Sequence, residues 1–180
     1  KVYKITRDEQ GNRLTHMKIT GGSLKVKTRL SEDEKVDQIR KYSGNKYETY
    51  EEVYAGEICT VKGLRHIAVG QGLGIETAVQ TPMLASFMDY RILLPKGCAP
   101  FQMLKQLQEL AEEDPQLHLR YQEATQEIRI QLMGTIQIEI LKNRIKERFN
   151  VEVEFDQGQV LYKETILEPV IGVGHFEPLR

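Results

Sequence analysis

The sequence predicts two units in tandem, a small β-barrel followed by an α+β ferredoxin-like (split βαβ) domain, with a change of texture near Thr81-Pro82. Before that point, short alternating segments are separated by turn signals, the pattern of a small barrel or sandwich. After it, the apolar period switches between two and about 3.6, in the order strand, helix, strand, strand, helix, strand. A chain of 180 residues has room for both, at roughly 100 to 200 residues per domain. The expected units are residues 1–80 and 81–157, with 158–180 opening a further one.

In the first unit the strand segments are "VYKI", "RLTHMKIT", "SLKVKTRL" and "GEICTV". Gly11-Asn12 and Gly21-Gly22 between them supply the positive backbone angles that hairpin turns need. The acidic run Glu48 to Glu52 reads as solvated, and "SEDEK" from Ser31 to Lys35 as a charged loop. The glycine-rich "GQGLG", Gly70 to Gly74, lacks the Lys-Ser/Thr that follows a phosphate-binding loop, and no helical period comes after it. It reads as a loop leaving the barrel.

In the second unit Met88, Tyr90, Ile92 and Leu94 alternate as one face of a strand that stops at Pro95-Lys96-Gly97. Phe101, Leu104, Leu107, Leu110 and Ala111 then recur at helical spacing. That helix must stop by Asp114, because Pro115 disfavours a helical residue before it. Glu112, Glu113 and Asp114 are adjacent carboxylates on a helical end, where neighbours do not share a face, so they do not converge on a substrate as paired acids must. They also lie at the unfavourable end of the helix dipole, a cost with no visible compensation in the sequence.

The next stretch is a hairpin. With Ala124-Thr125 as a two-residue loop, Tyr121 faces Ile128, Leu119 faces Ile130 and Leu117 faces Leu132, so every apolar residue meets an apolar one. Ile138, Leu141, Ile145 and Phe149 follow on one helical face. Lys142, Arg144, Lys146 and Arg148 split between the two sides of that stripe, which argues for stem burial and local ion pairs rather than a nucleic-acid patch. "VEVEF", Val151 to Phe155, closes the unit as a strand.

Composition narrows the function. With 40% hydrophobic and 28% charged residues and a net charge of -1, the chain reads as globular and cytoplasmic, with no membrane span or signal peptide. Cys59 and Cys98 stand far apart with no CxxC spacing and read as buried reduced thiols. His16, His66, His118 and His175 show no metal-ligand spacing. No catalytic, cofactor-binding or metal residue is predicted.

"GEICTVKGL", the helix end "EEDPQL", "LMGTIQIEIL" and "VLYKETI" follow in an order and spacing similar to elongation factor G and its paralogues, the tetracycline-resistance ribosomal protection proteins. Val2-Tyr3-Lys4-Ile5 resembles the opening of that family's second domain, a β-barrel, and Ala55-Gly56-Glu57-Ile58 resembles its "aGdI" turn. Tyr162, Glu164, Thr165 and Ile166 resemble "YrETI" at the entry to its fourth domain. The family's "GMGELHLE" stands here as Leu132 to Glu139, with Gln137 in place of histidine, which looks closer to the ribosomal protection branch or to another paralogue. Its "GDT" is matched nearest by Gly74-Ile75-Glu76-Thr77.

The resemblance implies a parent translational GTPase that enters the factor-binding site of the ribosome and uses GTP, with Mg, to time its departure. The chain has no GxxxxGK[ST], so no cradle for the β and γ phosphates. It is therefore expected to be an internal piece, a noncatalytic ribosome-docking and relay segment of that GTPase, itself without cofactor. Its expected parts are the second domain, the third domain and the start of the fourth. Ribosomal RNA and protein, and the GTPase domain of the same parent chain, are the implied partners. The alternative is an RNA-recognition-motif module, which shares the βαββαβ order but needs aromatics on the open sheet face. His118, Arg120, Gln122, Glu127, Arg129 and Gln131 occupy that face, with no aromatic among them.

The hairpin register sets Arg120 across from Arg129, and like charges opposite one another need compensation. Asp89, on the neighbouring strand, is expected to neutralise Arg129, leaving Arg120 on the edge for an outside contact. Arg120, Arg129, His118 and Gln131 are the candidate ribosome or interdomain contacts.

Overall fold

The computed structural model describes residues 1–76, 86–162, 166–168, 170–172 and 174. The expected boundary at Thr81-Pro82, together with Thr77, Glu164, Thr165 and His175, lies outside them.

The first region holds β1 (Val2–Arg7), β2 (Arg13–Lys18), β3 (Ser23–Lys25), β4 (Gln38–Ser43), β5 (Lys46–Tyr50), β6 (Glu52–Tyr54) and β7 (Ile58–Lys62). Five of them form an antiparallel sheet in the order β1-β2-β7-β4-β5, and β3 and β6 form a separate ribbon. Leu24 and Val53 of the ribbon share one core with Val2, Met17, Ile39, Cys59 and Val61 of the sheet. Among the described residues the sheet does not close, so the expected barrel is here an open sheet covered by a ribbon.

The strand expected over "SLKVKTRL" ends after three residues. Lys27 has a φ of 68, which breaks the extended run, and its N–H donates to the Val36 carbonyl. The β4–β5 hairpin was not anticipated. Ser43 pairs with Lys46 around a two-residue Gly44-Asn45 loop, and the Gly44 φ of 61 suits a glycine at the first central position. Within the "SEDEK" loop Glu34 is buried. Its carboxylate accepts the backbone N–H of Arg65 at 2.7 Å and of His66 at 2.5 Å, so this loop is stitched to the segment after β7. Gly63 lies at the same junction, where a Cβ would stand 2.5 Å from the Lys35 carbonyl oxygen.

The second region holds β8 (Met88–Leu93), α1 (Pro100–Glu113), β9 (His118–Gln122), β10 (Glu127–Leu132), α2 (Thr135–Phe149), β11 (Glu154–Phe155) and β12 (Gln159–Val160). The sheet order is β11-β8-β10-β9, all antiparallel, with β12 also on β8. Both helices cover one face: Met103, Leu107 and Leu110 of α1 and Leu141 and Ile145 of α2 pack on Tyr90, Ile92, Ile128, Ile130 and Leu132. Tyr121 pairs with Ile128 and Leu119 with Ile130, the expected register. The loop is longer than expected, because pairing stops at Gln122 and Glu127 and Gln126 adopts a φ of 54. "VEVEF" contributes only Glu154 and Phe155 as strand.

Phe101, expected in the core, is 62% exposed. It falls in the first helical turn beside Pro100, ahead of the turn in which Met103 and Leu104 reach the sheet. Gln137 acts locally, since its side-chain oxygen accepts the Met133 N–H at 2.6 Å and so holds the turn into α2. No helix among the described residues is long and apolar enough to cross a membrane.

Candidate functional site

The open face of the second sheet carries the four residues singled out by sequence. Arg129 is in register with both Arg91 and Arg120, which puts three guanidinium side chains in one row, and Gln131 lies between Asp89 and His118. The compensation is diagonal. Asp89 accepts from Arg129 Nε at 2.5 Å with one carboxylate oxygen and from an Arg120 terminal nitrogen at 2.6 Å with the other. Arg91 donates to Glu127 at 2.8 Å. The hydrogen bond that Arg129 donates to Asp89 is the main cause that holds the Arg129 guanidinium pKa above its ordinary value.

Asp89 is only 4% exposed because its strand is flanked at that point by Gln131 of β10 and Gln159 of β12. The expected Asp89–Arg129 pair is present. The expectation for Arg120 needs correction, since it too is bound to Asp89, but its side chain remains 55% exposed and keeps donors available to a partner. His118 is exposed beside it. Three of the four basic side chains of α2 find their acids off their own helix: Lys146 at Glu152, Lys142 at Glu154, and Arg148 at Glu113 and Glu109.

A second arginine pair on a carboxylate joins the two regions. Arg7 and Arg13 are register partners at the end of the β1–β2 hairpin. Glu112 of α1 accepts from Arg7 at 2.9 Å and from Arg13 at 3.3 Å. Glu113 accepts from Arg148 at 2.7 Å, and Asp114 turns back to accept the Gln116 N–H at 3.1 Å. The three carboxylates do point in different directions, and the arginines supply the compensation that the sequence left unseen for acids at a helix C-terminus. The cross-strand arginine pair of the first hairpin was the signal that could have pointed to it.

Sequence reasoning missed the outer face of the first sheet. His16 of β2 has Thr6 Oγ1 at 2.7 Å from Nε2 and Thr60 Oγ1 at 2.9 Å from Nδ1. Burial first, and Lys4 second, hold its pKa below the ordinary histidine value. Its ring stands 6.2 Å from Tyr3 and 6.5 Å from Tyr42, and Tyr42 stands 5.3 Å from Tyr47. The Arg40 guanidinium lies 4.2 Å from the centre of the Tyr47 ring. Tyr3, Tyr42 and Tyr47 are 48%, 42% and 46% exposed.

Phosphate and metal chemistry find no fit among the described residues. In the glycine-rich loop the Gly70 N–H donates to the Val2 carbonyl, and the Gln71 carbonyl accepts from the Val2 N–H. A Cβ on Gly72 would stand 2.1 Å from the Glu76 carbonyl oxygen, and Leu73 packs on the core, so these glycines serve chain packing. No group of three or more His, Cys, Asp or Glu among the described residues could hold a metal. Cys59 is buried, with its thiol pKa pushed up to about 11 by that burial. Cys98, expected buried, is only half-buried.

Residues 98–157 match the family described as Elongation Factor G, domain III. The chain is 31% identical over 188 aligned residues to Elongation factor G 2 of Syntrophus aciditrophicus, covering 98% of this chain and 27% of that protein. A crystal structure of a protein from Thermus thermophilus superimposes with a TM-score of 0.68 at 26% identity, over 87% of this chain and 25% of that one. The chain thus spans about a quarter of the length of the relatives it matches.

Proposed function

Because this chain belongs to the elongation factor G family, we propose that it is a noncatalytic ribosome-docking and relay segment of a translational GTPase. The observation that carries the reading is the match of residues 98–157 to the third domain of that factor, within a similarity that runs along 98% of the chain. In this assignment residues 1–80 are the second domain, 81–157 the ferredoxin-like third domain and 158–180 the start of the fourth. GTP and Mg belong to a GTPase domain of the same parent, which the third domain couples to the fourth. The place of action is the cytoplasm, on the ribosome. Gln137 in place of the family's histidine is shared between two readings of the parent, a ribosomal protection protein conferring tetracycline resistance and another paralogue of the factor.

The contact residues proposed on the second sheet are Arg120, Arg129, His118 and Gln131. Arg120 leads, because a half-exposed guanidinium can bind phosphate without giving up Asp89, whereas Arg129 is mostly covered. An RNA-recognition-motif role has no support on this face, where no aromatic stands among His118, Arg120, Gln122, Glu127, Arg129 and Gln131.

Two measurements test the proposal. The chain should co-sediment with ribosomes at low salt and be displaced by added elongation factor G, since phosphate contacts weaken steeply as salt rises. It should also show no saturable GTP binding by calorimetry, because micromolar affinity needs a dedicated phosphate cradle. Failure to co-sediment, or retention against excess competitor, would overturn the docking role.

A further inference from the structure

We infer that the outer face of the first sheet is a stacking surface for unpaired RNA bases. This deepens the ribosome-docking proposal and rests on it. Strand alternation puts Lys4, His16, Lys18, Lys62, Arg40 and Tyr42 on one side of the sheet, opposite the core residues Met17, Cys59, Val61 and Ile39. No strand position on that side is acidic; from the β1–β2 turn Asp8 comes within 4.0 Å of Arg40 and Glu9 borders the same hollow, fewer acids than the cations Lys4, Lys18, Lys62 and Arg40. The face is therefore cationic although the chain as a whole carries a net charge of -1, and phosphate affinity follows such local clustering.

Charge alone would suit any polyanion. The rings narrow the choice, because Tyr3, Tyr42 and Tyr47 keep nearly half of their surface exposed around a histidine fixed through both ring nitrogens. A row of fixed, planar, exposed rings among lysines matches nucleobases, which stack on aromatic faces whatever their sequence. Double-stranded RNA would present phosphate, ribose and base edges but no free base face for a ring to stack on, and an acidic peptide would leave the rings unused. Arg40, over one face of the Tyr47 ring and 3.4 Å from the Tyr42 hydroxyl, fixes the geometry of the pair.

The test uses the whole chain and a fluorescein-labelled single-stranded RNA of about ten nucleotides, a length matched to one small binding domain. Polarisation should show binding at low salt that is about tenfold weaker when the same RNA is annealed to its complement. Tyr42→Ala combined with Tyr47→Ala should weaken single-strand binding by about tenfold or more without changing its salt dependence. The corresponding Phe variants should retain it within about twofold, since the ring and not the hydroxyl stacks. Lys4→Ala with Lys62→Ala should flatten the salt dependence instead. Equal affinity for single strand and duplex, an unchanged Tyr42→Ala, Tyr47→Ala variant, or tighter binding of an oligoglutamate peptide than of RNA would each overturn the inference. If the alanine variant still co-sediments with ribosomes as wild type does, this surface is excluded while ribosome docking stands. If the unaltered chain does not co-sediment, docking itself falls.

Discussion

The two sheets share an architecture and treat their uncovered faces in opposite ways. Each is antiparallel, buries one face and leaves the other open, as such sheets commonly do. On the second sheet the open face is nearly closed electrostatically, because Asp89 and Glu127 answer the row Arg91, Arg129 and Arg120. On the first sheet the cations of the face outnumber its acids, Asp8 approaching Arg40 at 4.0 Å, and its rings are held by threonines and Arg40 rather than covered. A face that answers most of its own charges gains stability and offers a partner chiefly its half-exposed Arg120, whereas a face with surplus cations is free to bind more widely.

The largest effects should come from the faces that the two sheets treat alike. Ile130→Ala and Ile39→Ala, each at a fully buried position, should both cost about 2 to 5 kcal/mol in urea unfolding through lost burial and a cavity. On the open face of the second sheet, Asp89→Ala should cost about 3 kcal/mol, since it leaves a mostly covered Arg129 with only Glu127, 3.6 Å away. Arg120→Ala, removing the exposed partner of the same carboxylate, should cost under about 1 kcal/mol. Equal losses in that pair would show that the charge network is not organised around Asp89.

A smaller effect is expected at the join between the regions. Glu112→Gln, which leaves the bonds from Arg13 to the Leu64 and Ile67 carbonyls in place, should lower stability by about 1 kcal/mol at low salt and by less in molar salt, because Glu112 is substantially exposed and its pairs with Arg7 and Arg13 are screened. The smallest effect is a pH dependence. His16 is held below its ordinary value of 6.5 in the fold, so on acidification the unfolded chain takes up the proton first. Its contribution to stability is complete above the ordinary value and is lost as pH falls toward the folded one. His16→Gln should therefore flatten the stability profile on the acid side of neutrality in thermal melts, and an unchanged profile would mean that the ring is not held neutral.

What could be read from sequence was local. The β9–β10 register followed from strict alternation between Leu117 and Leu132, because a slip of one residue would turn every apolar side chain outward. That register in turn led to Asp89 beside Arg129. The pairing of Glu112 with Arg7 joins residues 105 positions apart in different regions, and no local pattern encodes it. The β4–β5 hairpin was hidden because its core side offers few apolar residues, chiefly Ile39 and Tyr50, although the Gly44-Asn45 signal was present. Tyr3, His16, Tyr42 and Tyr47 come from four strands, so the aromatic row exists only once the long-range strand order is known.

The most direct test of the contrast between the two faces is chemical probing of ribosomal RNA bases with and without the bound chain. Wild type and Arg120→Ala should protect the same discrete set of unpaired bases, the latter only at higher protein concentration because it has lost a phosphate contact. Tyr42→Ala combined with Tyr47→Ala should lose that base protection even where enough protein is added to restore binding. Base protection that survives in the tyrosine variant, or that vanishes in Arg120→Ala at saturating protein, would contradict the account.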